Sequence, residues 1–289
     1  MTPTDMQGKI CLVTGSTSGL GKATAFALAL QHATVILGCR DQQRGEAVLA
    51  EIKAAIPTAN VDLLLLDLSV QQSIRTAVTE FENRYDHLDV LINNAAVFKR
   101  QHTLTVDGYE SMFATNHLGP FLLTNLLLSL LKAATSARIL IITAPSTTRI
   151  AFEDLQAEHK FSALHAFGAS KAANLLFTYD LAHRLASTTV TVNAIYPGLV
   201  KTSLMREAPA PLRWLTSLFA HSPEPVAQSV VYYASSQEVQ AMTGLLFNKG
   251  KQAMNYSPYT KDRAVQQQLW GASMALAPLD EVTPSERIH

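Results

Sequence analysis

Two hydrophobic patterns alternate along this chain. Continuous apolar runs at residues 10–13, 33–38, 61–66, 88–92, 138–143, 190–196 and 244–248 predict about seven buried strands. Between them, apolar positions recur at helical spacing over residues 22–31, 41–56, 69–84, 108–134, 167–186 and 223–235. Asp41 is placed to cap one helix and Pro57 to stop it. Ser69 and Gln72 have the spacing of a capping box. Gly119-Pro120 inside the long fourth helix predicts a kink, because proline lacks the N–H that the helix needs. Residues 144–166 and 197–222 read as irregular, and the chain beyond Leu279 as frayed, around a core at residues 9–279. Strands that are apolar throughout, alternating with amphipathic helices, indicate one α/β domain over residues 1–289: a doubly wound parallel sheet of Rossmann type.

Composition narrows the function without choosing it. The chain is 48% hydrophobic and 16% charged, ample for a large core. Basic and acidic residues balance at 23 each, so no net field draws nucleic acid or an acidic membrane. Residues 121–131 are the most apolar stretch, far short of the roughly 18 needed to span a bilayer. Cys11 and Cys39 lack metal spacing and read as reduced core thiols of a soluble, cytoplasmic protein without a signal peptide.

The chemistry concentrates at strand ends. After the first strand comes Thr14-Gly15-Ser16-Thr17-Ser18-Gly19-Leu20-Gly21, opening directly into a helix. Glycines there allow a tight turn and close backbone approach, and the helix N-terminus offers N–H groups to an anion; a turn that binds nothing would look the same in the glycines alone. Ligands of open α/β sheets lie beyond the carboxyl ends of the strands, where Gly15, Arg40, Asp67, Asn94, Thr143 and Pro197 all fall. An acidic residue closing the second strand would favour NAD(H). Here Cys39-Arg40 closes it, with Arg44 a turn on, and a guanidinium pairs with a 2′-phosphate, favouring NADP(H). The alternative for Arg40 is a solvated surface charge. Asp67 is placed either to accept from an adenine amine or to cap a turn.

The Thr-Gly-x-x-x-Gly-x-Gly turn, Asp67-Leu68-Ser69, Asn93-Asn94-Ala95, Asn116-His117-Leu118-Gly119 and Pro197-Gly198-Leu199-Val200-Lys201-Thr202 together resemble the short-chain dehydrogenase/reductase superfamily over about residues 9–279. Phe161-Ser162-Ala163-Leu164, the run from Ser170 to Phe177, and Thr243-Gly244 before Lys249-Gly250-Lys251 look most like its retinol-dehydrogenase-like and WW-domain-oxidoreductase-like branch. The resemblance implies a nicotinamide cofactor bound by Gly15, Ser18, Gly19, Leu20, Gly21, Arg40, Asp67, Leu68, Asn94, Ala95, Pro197, Gly198 and Val200. It implies that Lys171 bonds the nicotinamide ribose and Thr202 the carboxamide. It also implies a homodimer through the helices carrying Phe121, Leu122, Leu126, Leu130, Leu176 and Tyr179. Ala96 stands where the family has a glycine, at an expected cost in backbone freedom.

The family's catalytic set is Asn, Ser, Tyr and Lys. Asn116 and Lys171 match it, but the serine position is Ala144 and the tyrosine position Phe167. The tyrosine supplies the proton that accompanies hydride transfer, and a placed acid is typically worth about 10²–10⁴-fold. Three readings follow: an NADP(H)-dependent oxidoreductase on a small apolar substrate whose carbonyl chemistry is impaired, or altered toward an iminium or activated C=C bond; a cofactor-binding module without turnover; or an engineered knockout. Thr143, Ser146, Thr147, Thr148, Tyr196, His117 and His165 are the groups that could stand in for the acid, each with a bland structural alternative. The apolar residues Leu204, Met205, Trp214, Leu215, Leu218 and Phe219 suggest a roomy cover for the substrate.

Overall fold

The computed structural model describes residues 5–201, 204, 207 and 220–280. Thr202, Met205, Trp214, Leu215, Leu218, Phe219 and the tail beyond Asp280 lie outside the described residues.

The strands are β1 Ile10–Thr14, β2 Thr34–Cys39, β3 Val61–Leu65, β4 Val90–Asn93, β5 Ala137–Ile142, β6 Val190–Tyr196, β7 Leu245–Asn248 and β8 Ala253–Met254. They form one sheet in the order β3-β2-β1-β4-β5-β6-β7-β8. Every pairing is parallel except the last, where β8, missed in the sequence for its two-residue length, turns back on β7. The order reverses between β1 and β4, which opens a crevice where the crossovers leave in opposite directions.

Both faces of the sheet are covered. On one lie α1 Gly19–Ala29, α2 Gln42–Ala55 and α8 Pro223–Ser235, packed on Cys11, Val13, Val35 and Leu37. On the other lie α3 Gln71–Arg84, α5 Gly119–Leu126, α6 Leu128–Ala133 and α7 Ala163–Arg184, packed on Leu12, Ile36, Leu64 and Leu91. Alternate residues of β1 thus feed opposite cores, which is why its apolar run is unbroken.

Helix ends reflect local hydrogen bonding. Asp41 caps α2 as expected, accepting from Arg44 N at 3.0 Å. The capping box at Ser69 does not form. Ser69 Oγ donates to Asp67 at 2.6 Å, and the Gln71 N–H donates to Asp107 at 2.7 Å. The long fourth helix is segmented. It begins at α4 Ser111–Phe113 because buried Glu110 accepts from Met112 N and Phe113 N. A π-helical turn, Ala114–Leu118, stands where the kink was expected. Pro120 has no N–H for the Asn116 carbonyl, and Gly119 N bonds five residues back to Ala114 instead.

After the short α9 Pro258–Lys261, a helix that the sequence reading did not identify, α10 Arg263–Leu276, closes the α5–α7 side. Trp270 stands edge-on to Phe121 at 5.0 Å and lies 6.0 Å from Phe177. Arg184 and Arg263 converge on buried Asp180, each at 2.8 Å, and tie α10 to α7. Gln71 and Tyr109 both donate to the Leu276 carbonyl. Of the residues expected to face a partner copy, Phe121, Leu122, Leu130, Leu176 and Tyr179 are therefore already buried within one chain. No helix among the described residues is long and apolar enough to cross a membrane.

Candidate active site

A cleft of about 1400 Å³ runs along the carboxyl ends of β1 through β6. Its floor is the turn after β1. Gly15 has φ +66°, and a side chain there would meet Ala95 Cα at 2.9 Å. Gly21 lets α1 seat against β1, since a Cβ would overlap the Gly15 carbonyl oxygen and the Asn94 amide. Ser18 precedes α1 without a side-chain cap bond, which leaves the first N–H groups of an eleven-residue helix facing the cleft. Thr14, which the sequence reading passed over, locks the floor. Its hydroxyl accepts from Asn94 N and Ala95 N at 3.0 and 3.1 Å, and Asn94 Nδ2 donates back to Thr14 O at 2.8 Å. The signal was a hydroxyl at the last residue of the strand before the glycine turn.

Gly15, Ser18, Gly19, Leu20, Gly21, Arg40, Asp67, Leu68, Asn94, Ala95, Lys171, Pro197, Gly198 and Val200 all line this one cleft. Arg40 and Arg44 stand together at the β2 end, and neither makes an ion pair among the described residues. Asp67 takes up the turn-capping role, accepting from Ser69 N at 2.9 Å and from Ser69 Oγ. Ala96 adopts an ordinary negative φ, so the absent family glycine costs the backbone nothing here.

At the other end, Phe167 and Lys171 lie one turn apart on α7 with Ala144 across from them at the end of β5. Lys171 Nζ sits 5.2 Å from the centre of the Phe167 ring, which in turn packs edge-on to Phe98 at 5.6 Å. Lys171 is only 5% exposed, and burial holds its ammonium down at about 8. Asn116 does not line the cleft. Its side chain accepts from Val97 N at 2.7 Å, donates to Val97 O at 3.0 Å and reaches Ser170 Oγ at 3.1 Å, holding the loop after β4 against the π turn.

The candidate replacement acids separate cleanly. His117 is fully buried among Phe113, Phe121 and Phe177, and burial pushes it down to about 4, so it is a core side chain. Ser146 donates to the Gly168 carbonyl at 2.7 Å, away from the cleft, and His165 is exposed on the surface. Thr143 lines the cleft, but its hydroxyl is directed at the Lys171 carbonyl, 3.2 Å away. Tyr196 lines the cleft at the end of β6. Among the described residues no group of His, Cys, Asp and Glu is placed to hold a metal ion.

Residues 9–212 match the family model for short chain dehydrogenase. The chain is 40% identical to retinol dehydrogenase 14 of Mus musculus, over 93% of this chain and 85% of that protein. It is 37% identical to retinol dehydrogenase 13 of Homo sapiens, over 97% and 87%. Among solved structures, an uncharacterized protein from Mycobacterium paratuberculosis superposes with a TM-score of 0.76 at 32% identity, covering 96% of both chains. A short chain dehydrogenase from Escherichia coli CFT073, complexed with NADPH, shares the fold at a TM-score of 0.69 and 20% identity, over 86% of this chain and 99% of that one. With its glycine turn, its strand-end cleft and its paired α7 positions in register, the chain belongs to the short-chain dehydrogenase/reductase superfamily, in the retinol-dehydrogenase-like branch.

Proposed function

We propose that this protein is an NADP(H)-dependent oxidoreductase acting on a small apolar substrate, with carbonyl chemistry that runs without a tyrosine acid. The cofactor choice rests on Arg40. It closes β2 where an acidic residue would select a free ribose diol, and among the described residues it has no carboxylate partner to neutralise it. The residues fit a dinucleotide phosphate group. The α1 N-terminus supplies unpaired N–H groups, and the glycine turn leaves the floor free of side chains. When bound, the nicotinamide would supply or accept a hydride. Lys171 would hold the nicotinamide ribose, while Phe98, Phe167 and Leu204 form an apolar wall for the substrate. NADP and NADPH complexes of structural neighbours support the choice of cofactor, and the retinol dehydrogenases support an apolar alcohol or carbonyl.

Phe167 and Ala144 leave no hydroxyl at the positions that would protonate and orient a carbonyl oxygen. The same two residues favour a second reading, a cofactor-binding module that does not turn over. Calorimetric titration is expected to give tighter binding for NADPH than for NADH, and Arg40→Ala to narrow the gap by about 1–3 kcal/mol. Equal affinities in the parent protein would sink the cofactor assignment. Restoring Ala144→Ser with Phe167→Tyr is expected to raise NADPH-dependent carbonyl reduction by at least about 10²-fold, non-additively. A folded, NADPH-binding revertant that reduces nothing in a broad carbonyl panel favours the binding module or a non-carbonyl substrate.

A further inference from the structure

Lys171 is an amine in an unusual position. It lines the cleft yet is 5% exposed, and its Nζ lies over the Phe167 ring, 5.2 Å from the ring centre. Among the described residues it has no carboxylate partner and no hydrogen bond at Nζ. Oxygen at position 167 would have given the ammonium a partner; carbon does not. The wall beside it, built from Val97, Phe167 and Leu204 with Phe98 packed behind, is apolar and suits an apolar chain. Desolvation raises the share of a lysine present as the free amine, the form that attacks carbonyl carbon.

We propose that Lys171 captures an apolar aldehyde in this cleft as a Schiff base. The Nζ lone pair attacks the aldehyde carbon, and a proton passes from nitrogen to the former carbonyl oxygen. The carbinolamine then expels that oxygen as water. One C=N bond replaces one C=O bond, one water leaves, and nothing is oxidised or reduced. Burial, which holds the ammonium at about 8, favours the first step near neutral pH. The proposal concerns the cofactor-free cleft, because with the cofactor bound the same amine would hold the nicotinamide ribose, and it does not depend on which cofactor binds.

The test is reductive trapping. The purified full-length chain, free of cofactor, is incubated at pH 7 with cinnamaldehyde and sodium cyanoborohydride, and each lysine's labelling rate is followed by peptide mass spectrometry. Lys171 is expected to label at least about tenfold faster than exposed Lys132, because far more of it is the free amine. Phe167→Tyr, which returns a phenol to the lysine, is expected to bring that rate to within about threefold of Lys132. Equal labelling of Lys171 and Lys132 overturns the proposal, as does undiminished labelling in folded Phe167→Tyr. The first comparison is internal to the parent chain and stands even where the variant fails to fold. NADPH affinity is measured separately: its absence would defeat the cofactor reading and leave the labelling result intact.

Discussion

Two buried bases show how one cost, desolvation, acquires different meanings in this chain. At Lys171 it leaves an amine at the edge of a cleft; at His117 it leaves a neutral ring inside a core of phenylalanines. His117 Nε2 faces Ser273 Oγ at 2.8 Å, and burial outweighs the nearby Asn174 amide, so the folded chain resists adding a second proton. Its pKa falls from 6.5 to about 4, whereas the unfolded chain takes the proton up near the usual value. Stability from this residue is therefore complete above about pH 6.5 and declines as pH falls towards 4, by on the order of 3 kcal/mol in all. Urea denaturation at pH 7.5 and pH 5 is expected to show this drop, and His117→Gln to flatten it. An unchanged pH slope in the variant would locate the acid sensitivity elsewhere.

The element that organises the cleft wall is the π turn. By removing one α-helical bond at Pro120, the chain widens the helix at Asn116, whose amide spans the two backbone groups of Val97. Asn116→Ala would orphan both. The expected loss is about 1–3 kcal/mol by urea denaturation, with weakened NADPH binding as the loop after β4 relaxes. Full stability and affinity in that variant would mean that the loop is held by its own packing.

Much of this was legible in the sequence. The seven parallel strands, the glycine turn and the convergence of Arg40, Asp67, Asn94 and Pro197 follow from apolar runs and the residues that close them. What escaped depends on tertiary partners. Glu110 starts a helix because it is buried over two free N–H groups, and Gln71 takes Asp107 from 36 residues away in place of its local cap. Asn116 matches the family's catalytic pattern, yet its side-chain direction is set by Val97, which no spacing reveals.

At the scale of the molecule, α10 decides which surfaces meet solvent. It occupies the side of α5 and α7 where a partner copy was expected, with Arg184 stacked 3.7 Å over Trp270 as the outer cover. Because α10 packs on α7 and reaches α5 through Trp270 on that side, light scattering at micromolar concentration is expected to give a monomer. Trp270→Ala is expected to destabilise the chain by about 3 kcal/mol and to increase self-association, because Phe121 and Phe177 lose their cover. A dimeric parent chain would contradict this arrangement.

The docking of α10 also has a consequence for the order in which the protein is made. Phe121 leaves the ribosome roughly 150 residues before Trp270, which at ordinary elongation rates is about ten to thirty seconds. In the later part of that interval, once α7 is complete at Arg184, α5 and α7 can both be present while the surface they share lies open to solvent. A nascent chain paused before residue 263 would carry an aromatic strip with nothing of its own to lay over it, the type of surface that a chaperone holds until translation delivers the missing helix.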